Sequence, residues 1–198
     1  MAKGQETRQR IVTEAASLFN RHGFEGGSMA ALMEATGLEK GGIYRHFASK
    51  EAIAAEAFDY AWHAAHDARM HLLDSIPNSV DKLKQFIANF VERRPPVPGG
   101  CPVYNTAVDA DDGNPVLRER AREALRQWIG LLRSIGSAGI KASEIGHDVD
   151  PKQLATLIVS SLEGALVISR LERNNQALLA VQSHLDHHLE KHVRARKK

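Results

Sequence analysis

The 198 residues carry 43% apolar and 25% charged side chains, enough to close a core around one or two globular domains and too apolar for a disordered chain. A single cysteine, Cys101, excludes an internal disulfide or a cysteine-built zinc site, so the fold must rest on packing. The net charge of +2 excludes a protein that coats DNA by charge alone, but the excess is N-terminal: seven Lys or Arg face five acids up to Lys50, and 19 face 19 beyond it.

The first ten residues are polar with no apolar stretch behind them, and no long unbroken apolar run follows, so a cytoplasmic protein without a membrane span is expected. Apolar residues recur at helical spacing throughout, which predicts an all-α fold. The first helix is expected over residues 7–22, with Ile11, Ala15, Leu18 and Phe19 on one face and Gly23 as its stop. Ser28 should cap a short helix to Thr36, ended by Gly37; a third covers residues 39–47, and Ser49 caps a long fourth reaching about Asp74. Ser79 should cap a helix to Glu92, where Pro95, Pro96, Pro98, Gly99 and Gly100 forbid continuation. Cys101 and Pro102 read as N-cap and first turn of a helix to Ala110. Asn114 and Pro115 open another, with Leu117, Ala121, Leu125, Trp128 and Leu132 as its stripe. Asp150 and Pro151 open one to Leu171, and Asn175 opens the last, to about Arg194, with residues 194–198 a frayed basic tail.

Two short helices around a turn at Gly37 have the spacing that lets one cross a DNA backbone while the next enters the major groove. Leu32, Leu38, Ile43 and Phe47 would hold them together, leaving Lys40, Gly41, Gly42, Tyr44, Arg45 and His46 outside. Lys40 and Arg45 suit guanine O6 and N7, and the two glycines permit close backbone approach. Tyr44, His46 and the helix N-terminus at Ser28 suit phosphates. So does Lys50, a cation in a first turn whose dipole opposes it.

Gly41, Tyr44, His46 and Phe47, followed by Ser49, Lys50 and Glu51, resemble the TetR-family signature, and the likeness extends over about residues 7–53. That resemblance implies a three-helix helix-turn-helix DNA-binding domain (1–48) followed by a helical effector-binding and dimerisation bundle (49–198). It implies a homodimer on a palindromic double-stranded DNA operator, released by a small-molecule or electrophile effector, with no cofactor and no enzymatic role. The sequence departs from the pattern at Glu39, where a small hydroxyl residue is usual, at Gly42, often Thr or Ser, and at Met33, commonly alanine.

By the same resemblance, Trp62, His66, Met70, Phe86, Phe90, Cys101, Tyr104 and Trp128 are candidates to line the effector pocket; at helical spacing they also suit a plain core. Leu154, Ile158, Ser161, Leu162, Gly164 and Ala165, with Leu178, Leu185 and Leu189, are the expected dimer interface, the alternative being packing within one subunit. His184, His188 and His192 share a face near Asp186 and His187, and His63, Asp67 and His71 form a second group. Without further convergent ligands, both read as solvated faces rather than metal sites. Cys101 as an N-cap would favour the thiolate, with Arg93 and Arg94 upstream and Gly99 and Gly100 leaving it approachable, which makes it a candidate thiol switch. As an enzyme nucleophile it lacks a recognisable histidine base.

Overall fold

The structure, a computed structural model, describes residues 3–93 and 97–196. Arg94, Pro95 and Pro96, part of the expected break and of the basic flank of Cys101, lie outside the described residues, as do Lys197 and Lys198. Nine α-helices are present among the described residues: α1 (Lys3–Gly26), α2 (Met29–Thr36), α3 (Lys40–Tyr44), α4 (Lys50–Met70), α5 (Ser79–Glu92), α6 (Pro102–Ala110), α7 (Pro115–Lys141), α8 (Pro151–Leu171) and α9 (Gln176–His188). A short 3-10 turn, Leu73–Ser75, follows α4, and a π-helical turn, Leu189–Val193, ends α9.

The chain forms two compact units. The first takes described residues 3–65 and 97–124, the second residues 66–93 and 125–196, so contact does not follow a boundary at residue 48. In the first, Ile11, Val12, Ala15, Leu32, Ile43, Phe47, Ile53 and Val97 make one core. The break expected at Gly23 is real: its φ of 72° turns the end of α1, and a Cβ there would lie 2.5 Å from the Asp109 carboxylate. The turn is held by the Phe24 N–H donating to that carboxylate at 2.7 Å. Asn20, buried in α1, donates to the carbonyls of Pro98 (3.0 Å) and Gly100 (3.3 Å). Asn105 of α6 donates to the Asn20 backbone carbonyl (2.9 Å), the Asn20 side-chain oxygen (3.0 Å) and the Gly99 carbonyl (2.9 Å). Three polar side chains thus fasten the end of α1 to α6 with every contact charge-assisted or amide to carbonyl.

In the second unit α5 packs against α8 and α9. Asn78, not Ser79, caps α5: its side-chain oxygen accepts from the Val80 and Asp81 N–H groups at 3.0 and 3.2 Å. The Ser79 N–H is free to donate to the Glu144 carboxylate at 2.7 Å, which holds that carboxyl below its ordinary range. Leu125, expected on the α7 stripe, is exposed, with Ala124 buried in its place. Asn175 makes no side-chain cap; the Asn174 side chain accepts from the Gln176 N–H at 2.9 Å instead.

The C-terminal end is also not frayed at Arg194. Residues 144–146 pair with it, through Gly146 N–H to the Val193 carbonyl and Ala195 N–H to the Glu144 carbonyl, both at 2.9 Å. The Arg194 guanidinium binds Glu190 at 2.7 Å and also pairs with Asp81, while Lys84 donates to Glu190 at 2.8 Å. Sequence pattern could not show this, because residues 144–146 lie about fifty residues away and Asp81 more than a hundred.

Hydrogen bonds from Arg194 and then Lys84 hold the Glu190 carboxyl down at about 2, against an ordinary 4.5. A folded-state value below the unfolded one contributes stability above the unfolded pKa and loses it as pH falls toward the folded one. The difference in Tm between the native chain and Arg194→Ala should therefore be widest near neutral pH and narrow between pH 4.5 and about 2. An equal difference at pH 6 and pH 2 would show that the ionised pair contributes nothing.

Candidate nucleic-acid interface

Ser28 starts α2 in extended backbone, and its hydroxyl accepts from the Ala31 N–H at 3.1 Å, a cap that contributes about 1 kcal/mol. Gly37 ends the helix at φ 63°, with the Leu38 N–H reaching back to the Met33 carbonyl at 3.3 Å, a turn that only a residue tolerant of left-handed backbone closes without strain. The chain then enters α3, where the Glu39 carbonyl accepts from the Gly42 and Ile43 N–H groups at 2.8 and 3.2 Å. Regular helix ends at Tyr44; Arg45 and His46 continue in a tighter turn, so the reading segment is shorter than the expected 39–47. Ile43 is fully buried and Phe47 is 5% exposed, and these two side chains fix the segment onto α1 and α2.

Lys40, Gly41, Tyr44 and Arg45 stay exposed on the other side, Gly42 and His46 are half-buried, and Ser28 is exposed. A Cβ at Gly41 would touch nothing in the protein within 4 Å, so no internal packing demands glycine there. Lys50 differs from expectation: its ammonium sits 4.4 Å from the Phe24 ring centre and 5.9 Å from that of Phe19, a cation over aromatic faces rather than a freely projecting group. Arg8 was not singled out from the sequence. Its guanidinium lies 4.6 Å from the Phe47 ring centre and pairs with Glu56, bracing α1 against the segment after α3. The signal was a cation one turn before the buried pair Ile11 and Val12.

The effector candidates divide between the units. In the first, Trp62 and Cys101 are buried and Tyr104 is 40% exposed. Cys101 is the N-cap residue of α6 as expected, but at 1% exposure it is not approachable, and Gly99 packs so closely that a Cβ would lie 2.6 Å from the Asn20 carbonyl oxygen. A cleft between α1, α4 and α6, lined by Phe19, Asn20, Phe58, Asn105 and Asp109, has about 30 Å³, room for a water or two and none of the expected pocket residues. In the second unit His66 and Met70 are half-buried, whereas Phe86, Phe90 and Trp128 come together, with ring centres 6.0 Å apart for Phe86 and Trp128 and 5.8 Å for Phe90 and Trp128. Arg69, absent from the sequence reading, is buried among them.

Of the dimer candidates, Leu154, Ile158, Leu162, Ala165, Leu178, Leu185 and Leu189 are all buried within the protomer, so they offer no surface to a second copy. Only Ser161 and Gly164 remain accessible. The exposed apolar residues lie on an adjacent face of α8, about a quarter turn round the helix, at Leu157, Ile168 and Leu171, with Leu179 on α9. Apolar residues on both faces give an 18-residue stretch within Pro151–Leu171 a mean hydropathy of 1.6 and the length of a membrane span, although the sequence has no unbroken apolar run there, and 44% of that stretch is buried in the fold. His188 and His192 stack at 5.5 Å, and burial with the neighbouring His192 and His184 lowers the His188 pKa. Among the described residues no three His, Cys, Asp or Glu converge on a metal geometry.

Residues 11–57 match the family described as bacterial regulatory proteins, tetR family, and residues 79–185 match the tetracyclin repressor-like C-terminal domain. A crystal structure of a TetR transcriptional regulator from Chloroflexus aurantiacus is 43% identical, covering 99% of this chain and 100% of its own, with a TM-score of 0.94. The transcriptional repressor DhaR of Mycobacterium sp. (strain GP1) is 25% identical over 86% of each chain. A cysteine mutant of the TetR-family regulator CifR, solved with a 26-bp operator duplex, is 26% identical, covers 92% of this chain and 95% of its own, and has a TM-score of 0.79.

Because the protein itself has room for a side chain at residue 41, Gly41→Ala should leave folding intact or stabilise it by up to about 1 kcal/mol, since alanine restricts the unfolded chain and favours helix. DNA affinity should nevertheless fall by about tenfold, as the added methyl meets the duplex. Unchanged affinity would show that the backbone of α3 does not approach the bases closely.

Proposed function

This chain belongs to the TetR family of transcriptional regulators, and from that we propose that it acts in the cytoplasm as a homodimeric repressor of a palindromic operator, released when an effector binds its C-terminal helices. The observation that carries the reading is the exposed face of α3, where Lys40, Gly41, Tyr44 and Arg45 stand clear while Ile43 and Phe47 anchor the segment from behind. Arg45 and Lys40 reach base edges; Tyr44, the N–H groups at the start of α2 and the first turn of α4 position the phosphates. The operator duplex bound by CifR supports the same role here. Lys50 contributes less than a free lysine, because its ammonium is already engaged by Phe24.

A two-fold dimer presents two such segments to half-sites one or more helical turns apart. The surface that fits the need is the stripe Leu157, Ser161, Gly164, Ile168 and Leu171, whose spacing of four, three, four and three residues keeps it on one side of α8. Gly164, with no neighbour within 4 Å of a built Cβ, leaves room for a partner helix to come close. Burial of Cys101 favours a non-covalent small molecule over thiol modification as the effector.

Arg45→Ala should relax sequence preference by about 1–3 kcal/mol at one base pair of each half-site, whereas Tyr44→Phe should weaken all sequences alike and reduce the salt slope by less than one unit. Affinities measured on the operator and on scrambled duplexes at several salt concentrations separate the two; an unchanged preference in Arg45→Ala would sink the assignment.

Leu157→Glu combined with Ile168→Glu should give a folded monomer by sedimentation, with native helix content and little operator affinity, because both side chains are already exposed in the protomer. A dimer that survives both charges would place the interface elsewhere.

A further inference from the structure

Arg69 lies at the end of α4 and is only 3% exposed. Its guanidinium carbon is 4.7 Å from the Phe90 ring centre and 4.4 Å from that of Trp128. Those two rings are themselves stacked, 25° apart, and Phe86 closes on Trp128 from another side. The backbone under the arginine is fixed as well: Asn89, itself 2% exposed, donates to the Arg69 carbonyl at 3.0 Å and the His71 carbonyl at 2.7 Å. What is lacking is an acceptor. Nε and Nη1 are buried and have no hydrogen-bond partner, and the guanidinium has no ion pair among the described residues.

Aromatic faces attract a cation along the ring normal, but they cannot accept the N–H groups that point outward in the guanidinium plane. A buried cation with unfilled donors is among the costlier things a fold can contain, and replacing it by an apolar side chain generally stabilises. Retaining it at the end of a pinned helix makes sense where something arrives to fill those donors. One positive charge calls for one negative charge, and the surrounding Phe86, Phe90 and Trp128 suit an apolar or aromatic body attached to it. We propose that Arg69 is the recognition group of a binding site in the second unit for a small organic carboxylate with an apolar or aromatic skeleton. The inference deepens the effector reading above and rests on it only for the step from binding to operator release.

The full-length protein is titrated with benzoate, phenylacetate and hexanoate, each beside its neutral amide, and with inorganic phosphate, by calorimetry and thermal unfolding. At least one acid should bind saturably and raise Tm, its amide should bind about tenfold more weakly or worse, and Arg69→Gln should abolish the difference between them. Arg69→Met, without ligand, should unfold at a higher temperature than the native protein, since it removes an uncompensated buried charge. If no acid in the set binds, if acid and amide bind alike, or if phosphate binds as tightly as the best acid, the proposal is overturned. A lower Tm for unliganded Arg69→Met would likewise overturn it, by making the arginine a structural group. Should Arg69→Gln fail to fold, the comparison of acid with amide on the native chain decides alone. Operator release is measured separately: an acid that binds through Arg69 without releasing DNA supports the site and refutes the effector reading instead.

Discussion

A helix of five residues cannot hold its own shape in water, because nucleation costs more than one turn of hydrogen bonds returns. The segment Lys40–Tyr44 exists only because Ile43 and Phe47 are buried against α1 and α2, each contributing about 1.5–3 kcal/mol of apolar burial. Everything the reading face does depends on that anchorage. Four consecutive positions, 39 to 42, carry no apolar side chain that could be buried, so the segment turns about a single isoleucine on its inner side, and Arg45 is aimed outward by default. Capping completes the arrangement: Ser28 and Ser49 each accept an N–H three residues on, at 3.1 Å, fixing where the helices before and after α3 begin.

The same core extends to Val97 and, through the Asn20 and Asn105 side chains, to α6. Amide groups are suited to this position. They are neutral, so their burial costs little once paired, and directional, so a shift of α6 by an ångström along α1 would break several bonds together. The end of α1 is therefore tied to α6. Asp109 serves the same end from one turn further on, by accepting the Phe24 N–H that the kink at Gly23 leaves without an intrahelical partner.

Much of this was legible in the sequence because it is local. The caps at Ser28, Asp150 and Asn114, the stops at Gly23 and Gly37, and the Pro102, Pro115 and Pro151 starts depend on a few neighbouring residues, and the structure has each in place. What the sequence pattern could not show was non-local. Leu154, Ile158 and Leu162 form as good an apolar stripe as Leu157, Ile168 and Leu171, and periodicity cannot say which of two stripes on one helix faces its own subunit. Arg194 looked like a frayed end because Asp81, Asn78 and residues 144–146 are distant in sequence. Cys101 is at the expected cap, but the accessibility inferred from Gly99 and Gly100 fails: the thiol is buried, and Gly99 packs against Asn20 with no room for a Cβ. Arg69 was missed although it continues the i+4 series Ala57, Ala61 and Ala65, all buried, and a cation at the next position of a buried row is the signal that should have been read.

Buried polar groups tell the two kinds of site apart. Asn20, Asn89 and Thr36 are buried and fully engaged: Thr36 donates to the Leu32 carbonyl at 2.7 Å, and each asparagine amide meets two carbonyl oxygens. Such groups are complete within the protein and act as fasteners, giving geometry but no affinity for anything else. Arg69 is equally enclosed and equally well positioned, yet its face is engaged by two rings while Nε and Nη1 at its edge have no acceptor. A fold held at the margin of stability does not keep an uncompensated charge for packing alone, when methionine or leucine would fill the same space between Phe90 and Trp128 at lower cost. The asymmetry between a face engaged by two rings and an edge without acceptors is what the proposed carboxylate site in the second unit rests on, and it owes nothing to likeness with other regulators.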